Sequence, residues 1–478
     1  MLCRALSVRT LATLTPLALA ACHSSASPSV AVACDDSLGS TYEAPGSIAS
    51  LANVPGGQIL RCAHDTALSA SQVDAVARTA GYTGDALASG FSMLRVLYRT
   101  ERGNDPPTAG FSSAVVLLPS KPRAAGLPVV VVAHGTVGEA PSCPPSQESP
   151  TGSDTYLAEL GYPLAGEGYA VILPDYAGYA GFGAQGNPPS GYHDSADEAK
   201  STLDAARALR AIDPGLFTGQ TVLVGHSQGG HAVLSALALH ASYGSGGTLA
   251  AVVAYAPSWF PMTSFGALLA LPDEYPLATQ YDTVAASLWY HYSHAELLDG
   301  PDSGPALFAA SKRDAIRAFF ETSCDETQLI PLGTTVADLF DPEFASEVEV
   351  GASGIGCNND PVCPKWMARY EADRPHITGD AATVPLLVVY GTEDEWIPAN
   401  RETCGFDRLA SDKVNDTLCI VPGQDHDGVV GARSEYVGQW IASATLGGTS
   451  PGTCGLGRDA LVDDGGAVVQ CAFPPPND

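Results

Sequence analysis

A short apolar run, Thr221-Val222-Leu223-Val224, leads into Gly225-His226-Ser227-Gln228-Gly229, and helix-forming residues follow from Gly230 to Leu237. No other feature limits the fold so tightly. A serine on a strand-to-helix turn, with glycine two places before and two after, needs a backbone too crowded for larger side chains there. The turn lifts the Ser227 hydroxyl above the strand end, where a base can reach it. A plain glycine-rich turn would share the letters, but the flanking elements and the downstream residues argue for the built turn.

Strand patterns at 91–100, 111–118, 127–133, 169–173, 251–255, 384–390 and 417–421 surround that turn. Helical spacing occupies 155–166, 194–211 and 428–444 between them. The runs 127–133 and 384–390 are continuously apolar and β-branched, as strands buried on both faces require. Strands alternating with helices predict an α/β fold, a mostly parallel central sheet flanked by helices on both faces. No internal repeat is evident. The alternation stops from 257 to 383, where aromatic residues (Trp259, Phe260, Phe265, Trp289, Tyr290, Phe308, Phe319, Phe320) and a helix-like stretch from Pro305 to Glu321 stand instead. The expected core is 41–256 with 384–446. The stretch 257–383 is a mainly helical cap inserted late in the sheet, and 447–478 is a cysteine-bearing tail. Taken singly, each aromatic is more simply core than substrate contact.

The first 21 residues read as an export segment: Arg4 and Arg9, an apolar run too short to span a bilayer, then Leu19-Ala20-Ala21-Cys22. That ending resembles a bacterial lipobox, which would place a lipid on Cys22; an ordinary signal peptide is the alternative. A Ser/Ala/Pro-rich tether follows, to about residue 40. The expected location is the cell envelope as a lipoprotein, or otherwise outside the cell. Ten further cysteines behind an export signal suggest disulfides. The simplest local pairing is Cys34–Cys62, Cys357–Cys363, Cys404–Cys419 and Cys454–Cys471, leaving Cys143–Cys324. No cysteine pair has zinc-finger spacing, so no metal and no cofactor is expected. The 357–363 stretch offers carbonyls to calcium, but a disulfide-closed turn explains it more simply. A formal charge of −29 argues against nucleic acid as a partner. Membrane contact is expected only through the lipid anchor, and nothing specifies an oligomer.

A serine hydroxyl needs a base, and the base needs an orienting acid. Following an elbow of this kind the order is serine, acid, histidine. His240 belongs to the elbow's helix, His291 and His294 fall in the insertion, and His376 precedes the next strand. His426 follows the last strand, in Gly423-Gln424-Asp425-His426-Asp427-Gly428. The acid should follow the preceding strand, in Gly391-Thr392-Glu393-Asp394-Glu395-Trp396; Asp394 is the choice, with Glu393 and Glu395 as rivals. An oxyanion would be held by the Gln228 amide and by Thr136, or failing that Val137, in the loop after 127–133. His134 and His226 read as packing or hydrogen-bonding residues, and Asp175 as structural or substrate-side.

Tyr42, Pro55-Gly56-Gly57, Val96-Leu97-Tyr98-Arg99, Ala133-His134-Gly135-Thr136-Val137-Gly138, Pro174-Asp175-Tyr176, the elbow and Gly391–Pro398 occur here in order. Over roughly residues 40 to 445 this set resembles the secretory lipases, α/β-hydrolases of the fungal lipase A type and their bacterial relatives. The resemblance implies a Ser227–Asp394–His426 triad, a cap over an acyl pocket, and hydrolysis of carboxylic esters, acylglycerols first. A short-chain or polyester esterase is the alternative; a serine peptidase or a catalytically silent surface-binding lipoprotein is more distant. Activity should fall with acidification as the catalytic imidazole is protonated.

Overall fold

The computed structural model describes residues 32–461, except 260–261, 272, 274, 353–355 and 358–360. The export segment, Cys22, the tether up to residue 31, Phe260, residues 358–360 and the tail from 462 with Cys471 lie outside the described residues.

Nine strands form one sheet: β1 (Ile59–Leu68), β2 (Phe91–Glu101), β3 (Ala109–Pro119), β4 (Leu127–Ala133), β5 (Val171–Ala177), β6 (Phe217–His226), β7 (Thr248–Tyr255), β8 (Leu386–Gly391) and β9 (Asp416–Val421). Their spatial order is β1-β2-β3-β5-β4-β6-β7-β8-β9. The first three pair antiparallel, as do β3 and β5. Every pairing from β5 through β9 is parallel.

Side chains of a strand point alternately to opposite faces, and the two cores follow that alternation. Val129, Val131, Ala133, Leu223, Val252, Ala254, Leu386 and Val388 enter one core. Helices α3 (Ser195–Ile212), α4 (Gln228–Tyr243) and α11 (Ala399–Asp412) cover it with Leu203, Leu234, Leu237 and Leu409. Val130, Val132, Val222, Val224, Ala251, Val253, Leu387 and Val389 enter the other. There α1 (Ala70–Thr79), α2 (Tyr162–Gly166) and α12 (Gly428–Thr445) supply Val73, Leu164, Val437 and Ile441. Burial on both faces is why the parallel strands read as unbroken apolar runs.

Between β7 and β8 the chain is helical: α5 (Ala267–Ala270), α6 (Leu277–Leu298), α7 (Ser303–Ala306), α8 (Arg313–Thr322), α9 (Pro342–Ala352) and α10 (Val362–Ala372). This segment has a core of its own, in which Phe308, Phe319, Phe320, Phe340, Trp366 and Tyr370 meet. The single helix expected over 305–321 is two, separated where Phe308 pairs with Phe340 in an isolated bridge.

The disulfide pairing departs from the local pattern. Cys34–Cys62, Cys143–Cys324 and Cys357–Cys363 form as anticipated. Cys419 pairs with Cys454, which excludes both Cys404–Cys419 and Cys454–Cys471. The reason is topological: the chain beyond α12 returns to the β9 edge, where Ile420 and Leu456 bridge. Cys404 is also disulfide-bonded. At the other end, the Cys34–Cys62 bond and the Asp35–Ala63 bridge fasten residues assigned to the tether onto β1. Among the described residues no helix is long and apolar enough to cross a membrane.

Candidate active site

Ser227 joins β6 to α4 with φ 56° and ψ −117°, a left-handed conformation that a residue with a side chain adopts only under strain. The glycines around it are obligatory. A Cβ at Gly225 would overlap the Gly229 carbonyl, and one at Gly229 would overlap the Ala133 carbonyl at the end of β4. The turn is held by backbone bonds: Ser227 N donates to Tyr255 O at 3.0 Å, and His231 N donates to Ser227 O at 3.1 Å.

Past the ends of β8 and β9 the two following loops meet. Glu393 N donates to Gln424 O at 2.9 Å, and a Cβ on Gly391 would collide with that same carbonyl. This contact carries Asp394 to His426: Nδ1–H of His426 donates to Asp394 Oδ2 at 2.8 Å. The other carboxylate oxygen accepts from the Trp396 and Ile397 amides at 2.9 and 2.7 Å. Asp394 is buried, while its rivals Glu393 and Glu395 are exposed. His226 Nε2–H donates to the His426 carbonyl at 3.0 Å, which fixes the loop from below. Burial, helped by the nearby His426 charge, holds His226 well below the ordinary imidazole range, so it stays neutral.

Ser227 and His426 line one cavity of about 250 Å³, together with Thr136. Val137 does not reach it, lying against Ala140, Cys143 and Tyr179. Thr136 Oγ1 shares a hydrogen bond with Tyr192 Oη at 2.8 Å. Gln228 heads α4, so its amide is among the unpaired donors at the positive end of that helix. Its side chain donates to Glu198 Oε1 at 2.8 Å.

The remaining sequence candidates lie elsewhere. His134 is buried, its Nδ1 donating to the Gly135 carbonyl at 2.6 Å. Asp175 accepts from the Ser146 amide at 3.0 Å and the Ser113 hydroxyl at 2.5 Å, a structural role. His240 bonds Ser245, exposed His376 bonds Asp412, and buried His291 bonds Tyr370.

Sequence reasoning missed Glu198 and His231. Both are fully buried inside helices, and His231 Nδ1 lies 2.9 Å from Glu198 Oε2. Glu198 Oε1 also accepts from the His193 amide at 2.8 Å. Nothing in a helical charge pattern distinguishes Glu198 from a solvated glutamate. The only signal was His231, a polar residue on the first turn of a helix rich in small and apolar residues.

A strained serine on a strand–helix turn, sharing a cavity with a histidine–carboxylate pair at the ends of parallel strands, defines a hydrolase-type fold. The chain belongs to the α/β-hydrolase family, whose profile ("Alpha/beta hydrolase family") matches residues 129–437. Among solved structures it is similar to Candida antarctica lipase A in its closed state, with 16% identity, a TM-score of 0.62 and 89% of each chain covered. It is also similar to the rice cell wall degrading esterase LipA from Xanthomonas oryzae, at 17% identity and a TM-score of 0.59, covering 82% of this chain and 99% of that one. Comparison with curated protein sequences returns no significant match.

Proposed function

We propose that this protein is an exported serine esterase that cleaves carboxylic esters through an acyl-enzyme. Ser227 attacks the ester carbonyl while His426 takes its proton. His426 then returns that proton to the leaving alcohol, and afterwards activates water to release the acid. Asp394 holds the His426 tautomer with Nε2 free and stabilises the imidazolium. The Gln228 amide and the Thr136 loop receive the oxyanion. The observation that carries this reading is the union of two features in one cavity: Ser227 at a positive φ, and His426 with its Nδ1 engaged by buried Asp394.

The cavity also bears on substrate class. Its volume of about 250 Å³ lies under the roughly 300–1,000 Å³ usual for drug-sized ligands. Phe265 and Trp289 line it, but so do Asp282, Glu326 and Arg401. Most other aromatics of the insertion fill its own core. This favours short or polar acyl groups over the long chains of acylglycerols, and the esterase reading over the lipase reading. The insertion from 257 to 383 contributes part of the cavity wall and acts as its cap. The disulfides support export into an oxidising compartment, with lipidation at Cys22 as the proposed anchor.

Hydrolysis of p-nitrophenyl esters from acetate to palmitate tests this, with Ser227→Ala as control. Activity peaking at acetate or butyrate, and lost by about 10³-fold or more in the variant, is expected. A peak at palmitate would make the protein a lipase. No turnover at any length, with no labelling by a fluorophosphonate, would sink the hydrolase reading and leave the silent binder.

A further inference from the structure

Behind the elbow, at the junction of the insertion and the sheet domain, three buried side chains from three elements converge. Asp194 caps the start of α3, His294 sits on α6 and Asp373 ends α10. One ligand-type atom of each lies within 4.8 Å of the others. His294 Nε2 is 2.8 Å from Asp373 Oδ2 and 3.8 Å from Asp194 Oδ2.

Every one of these atoms is aimed by a neighbour. His294 Nδ1–H donates to the Tyr290 carbonyl at 2.7 Å, which turns Nε2 toward the carboxylates. Asp373 Oδ1 accepts from the Ser195 amide at 2.9 Å, and its Oδ2 accepts from the Tyr290 hydroxyl at 2.7 Å. Asp194 Oδ1 accepts from the Asp197 amide at 2.8 Å, leaving Oδ2 to face the cluster. A histidine with one nitrogen tied to a carbonyl and its ligating atom shared with oriented carboxylates is the arrangement of a metal site's outer shell.

As an imidazolium, His294 would be the one cation facing two buried carboxylates. A proton on Nε2 would serve Asp373 at 2.8 Å, but 3.8 Å is beyond hydrogen-bond reach of Asp194. The neighbouring guanidinium of Arg369 does not supply the charge, because Asp299 engages it at 2.6 and 3.1 Å. A metal at about 2.0–2.2 Å from each ligand would serve both carboxylates, once the His294–Asp373 contact opens and Asp194 closes in. A cavity of about 410 Å³ lined by Asp194 and Asp373 offers room for water as fourth ligand and a route in.

We propose that Asp194, His294 and Asp373 bind one zinc-class divalent cation that clamps the helical insertion to the start of α3. One imidazole and two carboxylates suit zinc; calcium and magnesium take oxygen ligands and are excluded. The cation neutralises two like charges buried close together and ties α6 and α10 to the helix that carries Glu198. Its role is structural, because the Ser227 cavity lies on other residues.

The full-length mature chain is stripped with a chelator, then titrated with zinc and, separately, with cobalt(II). Expected are one equivalent bound, a rise in Tm, and the visible absorption of tetrahedral cobalt, with no response to calcium or magnesium. His294→Gln should lose the equivalent. Tyr290→Phe keeps the volume and the fold but removes a donor to Asp373, and should weaken binding about 10–100-fold. Wild-type protein that takes up no zinc would overturn the proposal and identify the centre as an imidazolium ion pair. So would an equivalent that survives unchanged in His294→Gln, since the metal would then sit elsewhere, for instance on His226, His426 and Asp427, which also lie close together.

Discussion

Among the described residues, two buried histidines have a carboxylate on Nδ1 at nearly the same distance, and the roles proposed for them are opposite. His426 meets Asp394 at 2.8 Å, and His231 meets Glu198 at 2.9 Å. The difference is at the other nitrogen. His231 Nε2 lies 2.7 Å from the Asp373 carbonyl, so both ring nitrogens donate and the ring is an imidazolium. His426 keeps Nε2 for the cavity that Ser227 also lines. A histidine–carboxylate pair is therefore no signature of a base by itself; an uncommitted Nε2 beside a nucleophile is what qualifies one.

The largest effect expected from this contrast is kinetic. His426→Gln should lower kcat/KM by on the order of 10⁴-fold or more, with Tm close to wild type. An active His426→Gln enzyme would mean that the base has been misassigned. Glu198→Ala should do the reverse in kind. It strands a buried imidazolium and removes the acceptor of both Gln228 and the His193 amide. Stability measured by denaturant titration should drop by about 3–5 kcal/mol. A variant as stable as wild type would show the inner pair to be dispensable.

The pH dependence of stability separates the buried histidines further. Burial opposes a charge on His231, but the hydrogen bond and charge of Glu198 outweigh it, so its folded pKa is raised. Its contribution is therefore complete below the ordinary imidazole pKa of about 6.5 and is lost as pH rises through the folded value. The stability gap between wild type and His231→Gln should be widest in mild acid and narrow on going alkaline. His226 has the opposite sign: burial depresses its pKa, so its contribution exists above about pH 6.5 and is lost on acidification. The gap for His226→Gln should narrow as pH falls. Parallel pH profiles for the two variants would refute the assignment of one charged and one neutral ring.

How much of this could be read from the letters follows the same division. Ser227, Asp394 and His426 sit at strand ends, where chain order and turn residues carry the information; Asp394 bonds His426, and Ser227 and His426 line one cavity. The strands from β4 to β9 were legible because burial on both faces leaves unbroken apolar runs. β1 was not, since Ile59–Leu68 carries Arg61, His64 and Asp65 on an edge strand that is only partly covered. The Cys419–Cys454 bond depends on the tail turning back to β9, which no local spacing encodes. Glu198, His231 and Asp373 were invisible for a related reason. Their partners lie on other helices, and a one-dimensional pattern cannot tell a buried charge with a partner from a solvated one.

The smallest predicted effect tests whether the two pairs are mechanically joined. Glu198 Oε1 holds the His193 amide, and the residue before it, Tyr192, reaches Thr136 through its hydroxyl at 2.8 Å. His193 itself has φ 57°, so the 192–193 segment is held in a conformation it would not choose alone. Tyr192 also receives a brace from the insertion, its amide donating to Ser293 Oγ at 3.1 Å. Tyr192→Phe removes only the hydroxyl, leaving the ring packed against Phe265 and Trp289. Deleting an oxyanion donor outright costs about 10²–10³-fold; loosening the loop that presents one should cost less, about 3–10-fold in kcat, with KM little changed. Thr136→Ala in the same background should then add almost nothing, because the two side chains act through one contact. Independent, multiplicative losses would break the link, leaving Glu198 and His231 as a scaffold for the helices alone and the Thr136 loop positioned by its own backbone.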